Sequence, residues 1–543
     1  MAHEPNERDP LIPRTGHRGG HAEDAGSCKA LEQASLPSGA RFYAIIVTLM
    51  LSCFLAALDT TIVATAIPAI TDTFQSLSDV GWYGSVFFLT QTTFQATWGK
   101  AYGFYDLRTT LAVSIVVFLA GCVASAAAPS SAVVIAGRAI AGIGASGILG
   151  GVFTVIAFIT DDTWRPVYMG IVGTTFGVAS VVGPLLGGLL TSTASWRWMF
   201  WINLPIGGFA LVALFVCFQT PKLAKDAQRR LPWTAVVREL DFTGNALVTA
   251  AAVLYLLAME WGGTAKPWSS PPVVLALVFS GILTVALCLY ERAMGDRALI
   301  PSRLFTQWPV WPNCIYTFFV SGVYFPLLYF LPIYFQAVQG VSPAVSAVRN
   351  IPLILGVSVF SIASTSFIGR TGLWKVPLVA GGLITLAGSV LLCLLDSDST
   401  TAEWIGFQTC AGIGIGTAME VPLVANQRSL PLQHIAATVG LTMFFELAGG
   451  VVFISAAQAI FANGLLRSLK QTAPNLDGLD VLHHGALRLG ETFGDDAPAV
   501  LEAYINGFHG VFAMSLACAV VPVLVSLIVL SPFFSPRRKS FWT

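Results

Sequence analysis

FGVASVVGPLLGGLL occupies residues 176–190. The run is apolar throughout, yet it sets Gly177, Gly183, Gly187 and Gly188 around Pro184. In an ordinary helix each glycine costs about 1 kcal/mol and the proline about 3. Lipid changes that balance. Helices there attract one another through close contact, and small residues let the backbones approach. Proline releases a carbonyl and permits a bend. Gly183, Gly187 and Gly188 are expected to share one face. The stretch therefore reads as a membrane helix in close, bendable contact with a neighbour. Such a contact suits either a tight static crossing or a part that rocks.

The composition agrees. Of 543 residues, 55% are hydrophobic and 11% charged, where soluble chains carry roughly 25% charged residues. Lys+Arg and Asp+Glu tie at 29 each, so net charge points to no nucleic-acid partner. Eight of the nine cysteines lie in apolar runs and read as small hydrophobes. Residues 1–41 are polar, lack the apolar core of a signal peptide, and read as a disordered tail.

A span needs about 20 apolar residues. Fourteen such runs are expected, from 42–68 to 508–531. With that count, 22 Lys and Arg residues fall on the side of both termini and 5 on the other. The positive-inside rule then makes both termini cytosolic. The outer segment 462–507 is polar and reads as a solvated loop or a small cap.

An internal repeat is visible. AGIG at 141–144 returns at 411–414, and LAG at 119–121 returns at 386–388. Arg108 then corresponds to Lys375. The expected fold is all-α and integral to the membrane: two six-helix halves, 42–218 and 310–531, with two extra helices at 242–291 between them. Cytosolic loops 219–241 and 292–309 and a tail 532–543 complete the chain.

GVASVVGPLLGGLL resembles the fifth-helix antiporter motif of the major facilitator superfamily. SWRWMFWINLPIG (195–207) and LDTTIVATAIP (58–68) resemble signatures of its fourteen-helix drug:proton antiporter branch. GRAIAGIGASGI (137–148) resembles the fourth-helix motif with a buried arginine. The wording of 408–427 and 441–458 is most similar to fungal toxin and secondary-metabolite efflux pumps. The resemblance implies the major facilitator fold, alternating access, and a cavity lined by helices 1, 4, 9 and 12. It also places Lys100 and Arg108 in a gating motif of the 2–3 loop. That motif usually carries an aspartate where Gly103 stands, and Asp106, three residues on, is expected to act as the charged latch. Positions 420 and 446, more often glutamine in the resembling pumps, are glutamate here.

Charge at bilayer depth is costly and so points to function. Asp59 and Arg138 fall at depths that agree within roughly 5 Å at the rise of a helix. They are expected to pair, either as a static lock or as a pair that opens when Asp59 takes a proton. Glu446 and Glu420 have no basic partner in their own helices. Each reads as a proton-coupling group or as a neutral acid standing in for glutamine. In the ninth run, 310–335, the stretch 317–336 is rich in aromatics. Phe325, Tyr329, Gln336, Gln91 and Gln408 are the candidate substrate contacts, suited to a bulky apolar ligand.

No ATP-binding loop and no HExxH occurs, so no enzyme activity, cofactor or metal is expected. The reading is proton-coupled efflux of a hydrophobic or amphipathic small molecule by a monomer in the plasma membrane. Alternatives are a vacuolar or vesicle carrier, an importer of siderophores or basic amino acids, and a receptor or scaffold that does not transport.

Overall fold

The computed structural model describes residues 39–63, 66–74, 79–228, 239–476, 478, 481–482 and 493–531. The expected N-terminal tail up to 38, residues 229–238, parts of the outer loop, and the tail from 532 lie outside the described residues.

Among the described residues a helix covers each expected run: α1 Gly39–Ile62, α2 Val80–Phe104, α3 Leu107–Ala126, α4 Ser131–Ile159, α5 Arg165–Thr193, α6 Asn203–Cys217, α7 Phe242–Trp261, α8 Pro271–Met294, α9 Val310–Gln339, α10 Ile351–Thr371, α11 Lys375–Leu392, α12 Thr401–Met419, α13 Ile435–Thr472 and α14 Ala497–Leu530. Twelve, taking α6 together with the short helix Trp198–Trp201 before it, are long and apolar enough to cross a membrane by length and composition. The exceptions are α2 and α12. Polar residues lower their hydropathy, among them Thr90, Gln91, Thr93 and Gln95 in α2, and Gln408 in α12, all buried. The α2 threonines turn their hydroxyls onto their own helix: Thr90 Oγ1 donates to Val86 O at 3.0 Å and Thr92 Oγ1 to Phe88 O at 2.8 Å. Such residues cost little in a helix shielded by its neighbours.

The repeat is present in the packing. A Cβ on Gly121 of α3 would run into Ala141 of α4, and a Cβ on Gly388 of α11 would run into Ala411 of α12. Gly144 packs on Phe118, and Gly414 on Thr385. Arg108 Nη1 reaches the carbonyl of Phe218 just past α6 (3.4 Å), and Lys375 Nζ reaches that of Val529 in α14 (2.9 Å). Equivalent small residues thus make equivalent helix crossings in each half.

The halves meet along two seams. In one, Gly99 of α2 faces Gly440 of α13 so closely that a Cβ on Gly99 would lie 2.8 Å from the Gly440 Cα. In the other, α5 packs on α10. Helix α7 lies against the first seam: Asn245 Nδ2 donates to Thr97 Oγ1 (3.0 Å) and the Tyr255 hydroxyl to Val452 O (2.9 Å). Helix α8 packs on α7, where Ser280 Oγ donates to Ala251 O (2.8 Å). Little of α8 is buried while nearly all of α4 is, so α8 is peripheral and α4 central.

Candidate functional site: a carboxylate-lined cavity between the halves

Asp59 of α1 is fully buried and forms an ion pair with Arg138 of α4, itself 1% exposed. Asn203, at the start of α6, donates its Nδ2 to the other carboxylate oxygen of Asp59 (3.1 Å). Arg138 Nε donates to Tyr83 O (3.0 Å), and the guanidinium lies 4.3 Å from the centre of the Phe87 ring. Both carboxylate oxygens of Asp59 and the Nε and Nη1 of Arg138 are thus engaged, and such pairing is the condition under which charge survives in a protein interior. Asn203 belongs to the SWRWMFWINLPIG signature, and that motif was the available signal for it.

Glu420 stands at a break. Helix α12 ends at Met419, and a further helical segment, Val421–Ser429, begins with Pro422 in its first turn. Proline there withholds an N–H and lets the backbone change direction. Across from it, a Cβ on Gly173 of α5 would lie 2.6 Å from Glu420 Oε1, so the bare glycine leaves room for the carboxylate. Glu446 of α13 lines the same cavity. Neither carboxylate has a hydrogen-bond or ion-pair partner among the described residues.

The cavity's walls carry Phe153, Phe176, Tyr324, Phe325, Met419 and Met443, with Ser361 Oγ buried and unpartnered beside them. Its free volume is ≈ 60 Å³. This holds a few waters at most, so a larger ligand enters only when the halves separate. Helices α1, α4 and α9 line it with the α12 break, and α5, α10 and α13 contribute as well. Of the aromatic and amide candidates only Phe325 lines it. Tyr329 packs on Phe88, ring centres 6.2 Å apart. Gln336 is tied to Pro332 O and Ser346 Oγ. Gln91 and Gln408 are buried away from the cavity. A wider open groove, ≈ 640 Å³, runs past Trp198, Trp201 and Arg197 on the surface and holds no carboxylate.

The motif that opened the sequence proves to have two partners. Gly170 faces Ile362 and Thr365 of α10, and Gly177 faces Ile354 and Ser358. These glycines, with Gly173, form the seam with the other half. Gly183 faces Thr61 of α1 in its own half, where Thr61 Oγ1 donates to Ala179 O (3.1 Å). Pro184 lies inside the helix, and Gly187 is buried. Gly188 is exposed with open space around it. It does not share a face with Gly183, because five residues rotate a helix by roughly 140° beyond a full turn.

The sequence model of the Major Facilitator Superfamily matches residues 49–454. The chain belongs to the major facilitator superfamily. It is a membrane transporter, not an enzyme. It is similar to the efflux pump notK of Aspergillus sp. (strain MF297-2), 41% identical over 91% of this chain and 87% of the relative. It is also similar to a dehydrocurvularin exporter of Alternaria cinerariae, 36% identical over 91% of this chain and 84% of the relative. Among solved structures, the fold is similar to the proton:xylose symporter XylE, with a TM-score of 0.57, 13% identity, and coverage of 88% of this chain and 94% of that one.

In this major facilitator protein the end of the bundle at which α1 begins and α14 ends is held by polar contacts. Lys100 Nζ donates to the carbonyls of Glu239 (2.8 Å) and Arg297 (2.7 Å), which flank α7 and α8, and Arg297 pairs with Glu239 at 3.3 Å. Lys100 thereby fastens the two extra helices to α2. Asp106 caps α3, accepting from Thr109 N (3.2 Å), and forms no ion pair among the described residues. Arg108, besides its bond to Phe218, stacks over Phe215 at 5.3 Å. A contact that sequence reasoning missed joins the halves: Arg428 donates to Ile368 O (2.9 Å) and to the backbone carbonyl of Asp162, whose carboxylate pairs with Arg165 at 3.0 Å. Arg428 gave no signal in the sequence because its partners are main-chain oxygens.

Proposed function

We propose that this transporter exports a hydrophobic or amphipathic secondary metabolite in exchange for protons, by alternating access across the plasma membrane. Two partnerless carboxylates in a cavity built by both halves carry this reading. A carboxylate with no counter-charge in such a place is stable when it holds a proton, and the proton leaves when the cavity opens to water. Glu446 and Glu420 are the coupling acids. Asp59, held by Arg138 and Asn203, senses the same cycle through its ion pair. The similarity to a notK efflux pump and a dehydrocurvularin exporter supports the outward direction and the substrate class.

In this reading α2 and α12 span the membrane as well. Their polar side chains face protein, so the chain crosses fourteen times and both termini are cytosolic. The working unit is the monomer, since the cavity is complete within one chain.

The test is transport of dehydrocurvularin in everted vesicles that contain the full-length protein. Accumulation driven by an imposed pH gradient and abolished by its collapse is the expected result. Accumulation indifferent to the gradient removes proton coupling. Movement in the opposite sense identifies an importer, and binding without flux a receptor.

A further inference from the structure

We propose that the extra helix pair α7–α8 is a rigid strut that travels with the first half at one end and with the second half at the other, and that Asn245 and Asn463 are the positioning residues that fix it. The inference rests on the alternating-access part of the reading above, and not on the substrate or the protons.

The pair is stiff because polar contacts close both of its ends. At the near end, where α1 begins and α14 ends, the Asp241 carboxylate caps α7 through Gly244 N (2.9 Å). It also accepts from the Tyr290 hydroxyl of α8 (2.9 Å) and from Leu299 N (2.8 Å), and Glu291 accepts from Ile300 N (2.7 Å). At the far end Gly263 N donates to Lys266 O (2.8 Å), and Lys266 lies over the Trp261 ring.

The polar ties of this pair to the rest of the molecule run diagonally. Near-end ties go to α2, in the first half: Asn245 to Thr97, and the carbonyls of Glu239 and Arg297 to Lys100. Far-end ties go to α13, in the second half. Asn463 Nδ2 donates to Gly262 O (3.0 Å), Asn463 Oδ1 accepts from Trp268 Nε1 (3.2 Å), and the Tyr255 hydroxyl reaches Val452 O. Midway, buried Leu256 packs with Leu89 of α2 and Val451 of α13.

The off-diagonal contacts are of another kind. At the far end Glu260 meets α2 at the bare Gly81, and its carboxylate has no hydrogen-bond or ion-pair partner among the described residues. At the near end Val248 of α7 joins an apolar cluster with Phe444 and Phe445 of α13. Apolar faces part and re-form without direction, whereas a hydrogen bond holds only in narrow geometry and leaves polar groups unpaired when it breaks. When the halves part at the far end, the strut therefore stays with α13 and leaves Gly81. When they part at the near end, it stays with α2 and leaves Phe444. It tilts about Leu256 and covers the α2–α13 seam throughout, while residues 301–309, which lead on to α9, supply the slack.

Disulfide staples in the full-length protein test this. The readout is a membrane-impermeant maleimide that reaches Cys53 of the cavity wall from either face, located by peptide mass spectrometry. Gly81→Cys with Glu260→Cys, once oxidised, fastens the far end of the strut to the first half. Far-face labelling is then expected to slow by about a hundredfold, the scale of three hydrogen bonds broken at each opening, with near-face labelling unchanged. Reduction restores the rate. Adding Asn463→Leu removes two of the three bonds and is expected to return far-face labelling to within about tenfold of wild type. Should that variant not fold, Asn463→Ala removes the same two. Thr97→Cys with Asn245→Cys, oxidised, staples a tie that never parts, and labelling from both faces is expected to stay as in wild type. Far-face labelling untouched by the 81–260 staple, slowed equally with and without Asn463, or lost with the 97–245 staple overturns the strut. Cys53 reached from one face only in the wild type strikes alternating access itself, and the strut with it.

Discussion

Asp59, Arg138 and Asn203 form one unit, and the cost of breaking it depends on which member is removed. Arg138→Ala leaves Asp59 buried with only Asn203 for support and is expected to destabilise the protein by about 3–5 kcal/mol. Asn203→Ala removes one donor and keeps the charge balance, at about 1–3 kcal/mol. The double change Asp59→Asn with Arg138→Gln removes both charges. It is expected to recover most of the stability while gradient-driven export stays lost. Thermal unfolding in detergent, read beside vesicle transport, checks all three. Export retained by the double variant shows that the pair is only a structural lock. The two charges and their matching depth are legible in the sequence, because hydrocarbon admits so few charges that each one stands out. Asn203 is not legible in that way, since an asparagine near a helix start is ordinary.

At the scale of the element, α5 carries two glycine faces with different tasks. Gly177 meets Ile354 and Ser358 of the other half, whereas Gly183 meets Thr61 of its own. Gly177→Leu is expected to wedge the seam between the halves. The folded protein persists at near-normal abundance, while turnover falls by at least an order of magnitude, as for a contact that must close in each cycle. Gly183→Leu pushes α1 from α5 within one half and is expected to lower thermal stability and abundance first. Gly188→Leu points into open space and is expected to change stability by no more than about 0.5 kcal/mol, as surface substitutions do. Purified yield, melting temperature and initial transport rate separate the three. Equal behaviour of Gly177→Leu and Gly188→Leu removes the role assigned to the seam.

For the whole molecule, the polar contacts at the end where α1 begins and α14 ends hold the halves together on that side. Arg428 bridges α10 and the α4–α5 connection through two carbonyls. Arg428→Ala is expected to shift the transporter toward the form open at that end. Thiol labelling of Cys53, which lines the cavity, from that side then rises several-fold, with the ion pair of Asp59 intact. Labelling no faster than in wild type shows that Arg428 does not hold the gate. Orientation is checked separately: reporter fusions at residues 1 and 543 are both expected on the cytosolic face. A split result removes the fourteen-span topology, and α2 or α12 is then the first helix to re-examine.

The repeat shows what the sequence determined alone. AGIG and LAG recur at nearly constant spacing, and the structure uses each copy for the same crossing: Gly121 on Ala141, Gly388 on Ala411. The helical class of the fold, the long apolar runs and the depth of each buried charge are likewise written along the chain. Lipid demands internally satisfied helices of set length, and depth follows from counting residues at 1.5 Å each. Rotation about the helix axis and choice of neighbour are not set by counting. Tertiary packing alone turned Gly170 and Gly177 toward α10 and Gly183 toward α1, placed Gln91 and Gln408 away from the cavity, and brought Glu420 and Glu446 to one space from different helices. A single apolar helix in a bundle presents similar side chains in every direction, so its pattern leaves the azimuth open, and only contact with its neighbours fixes it.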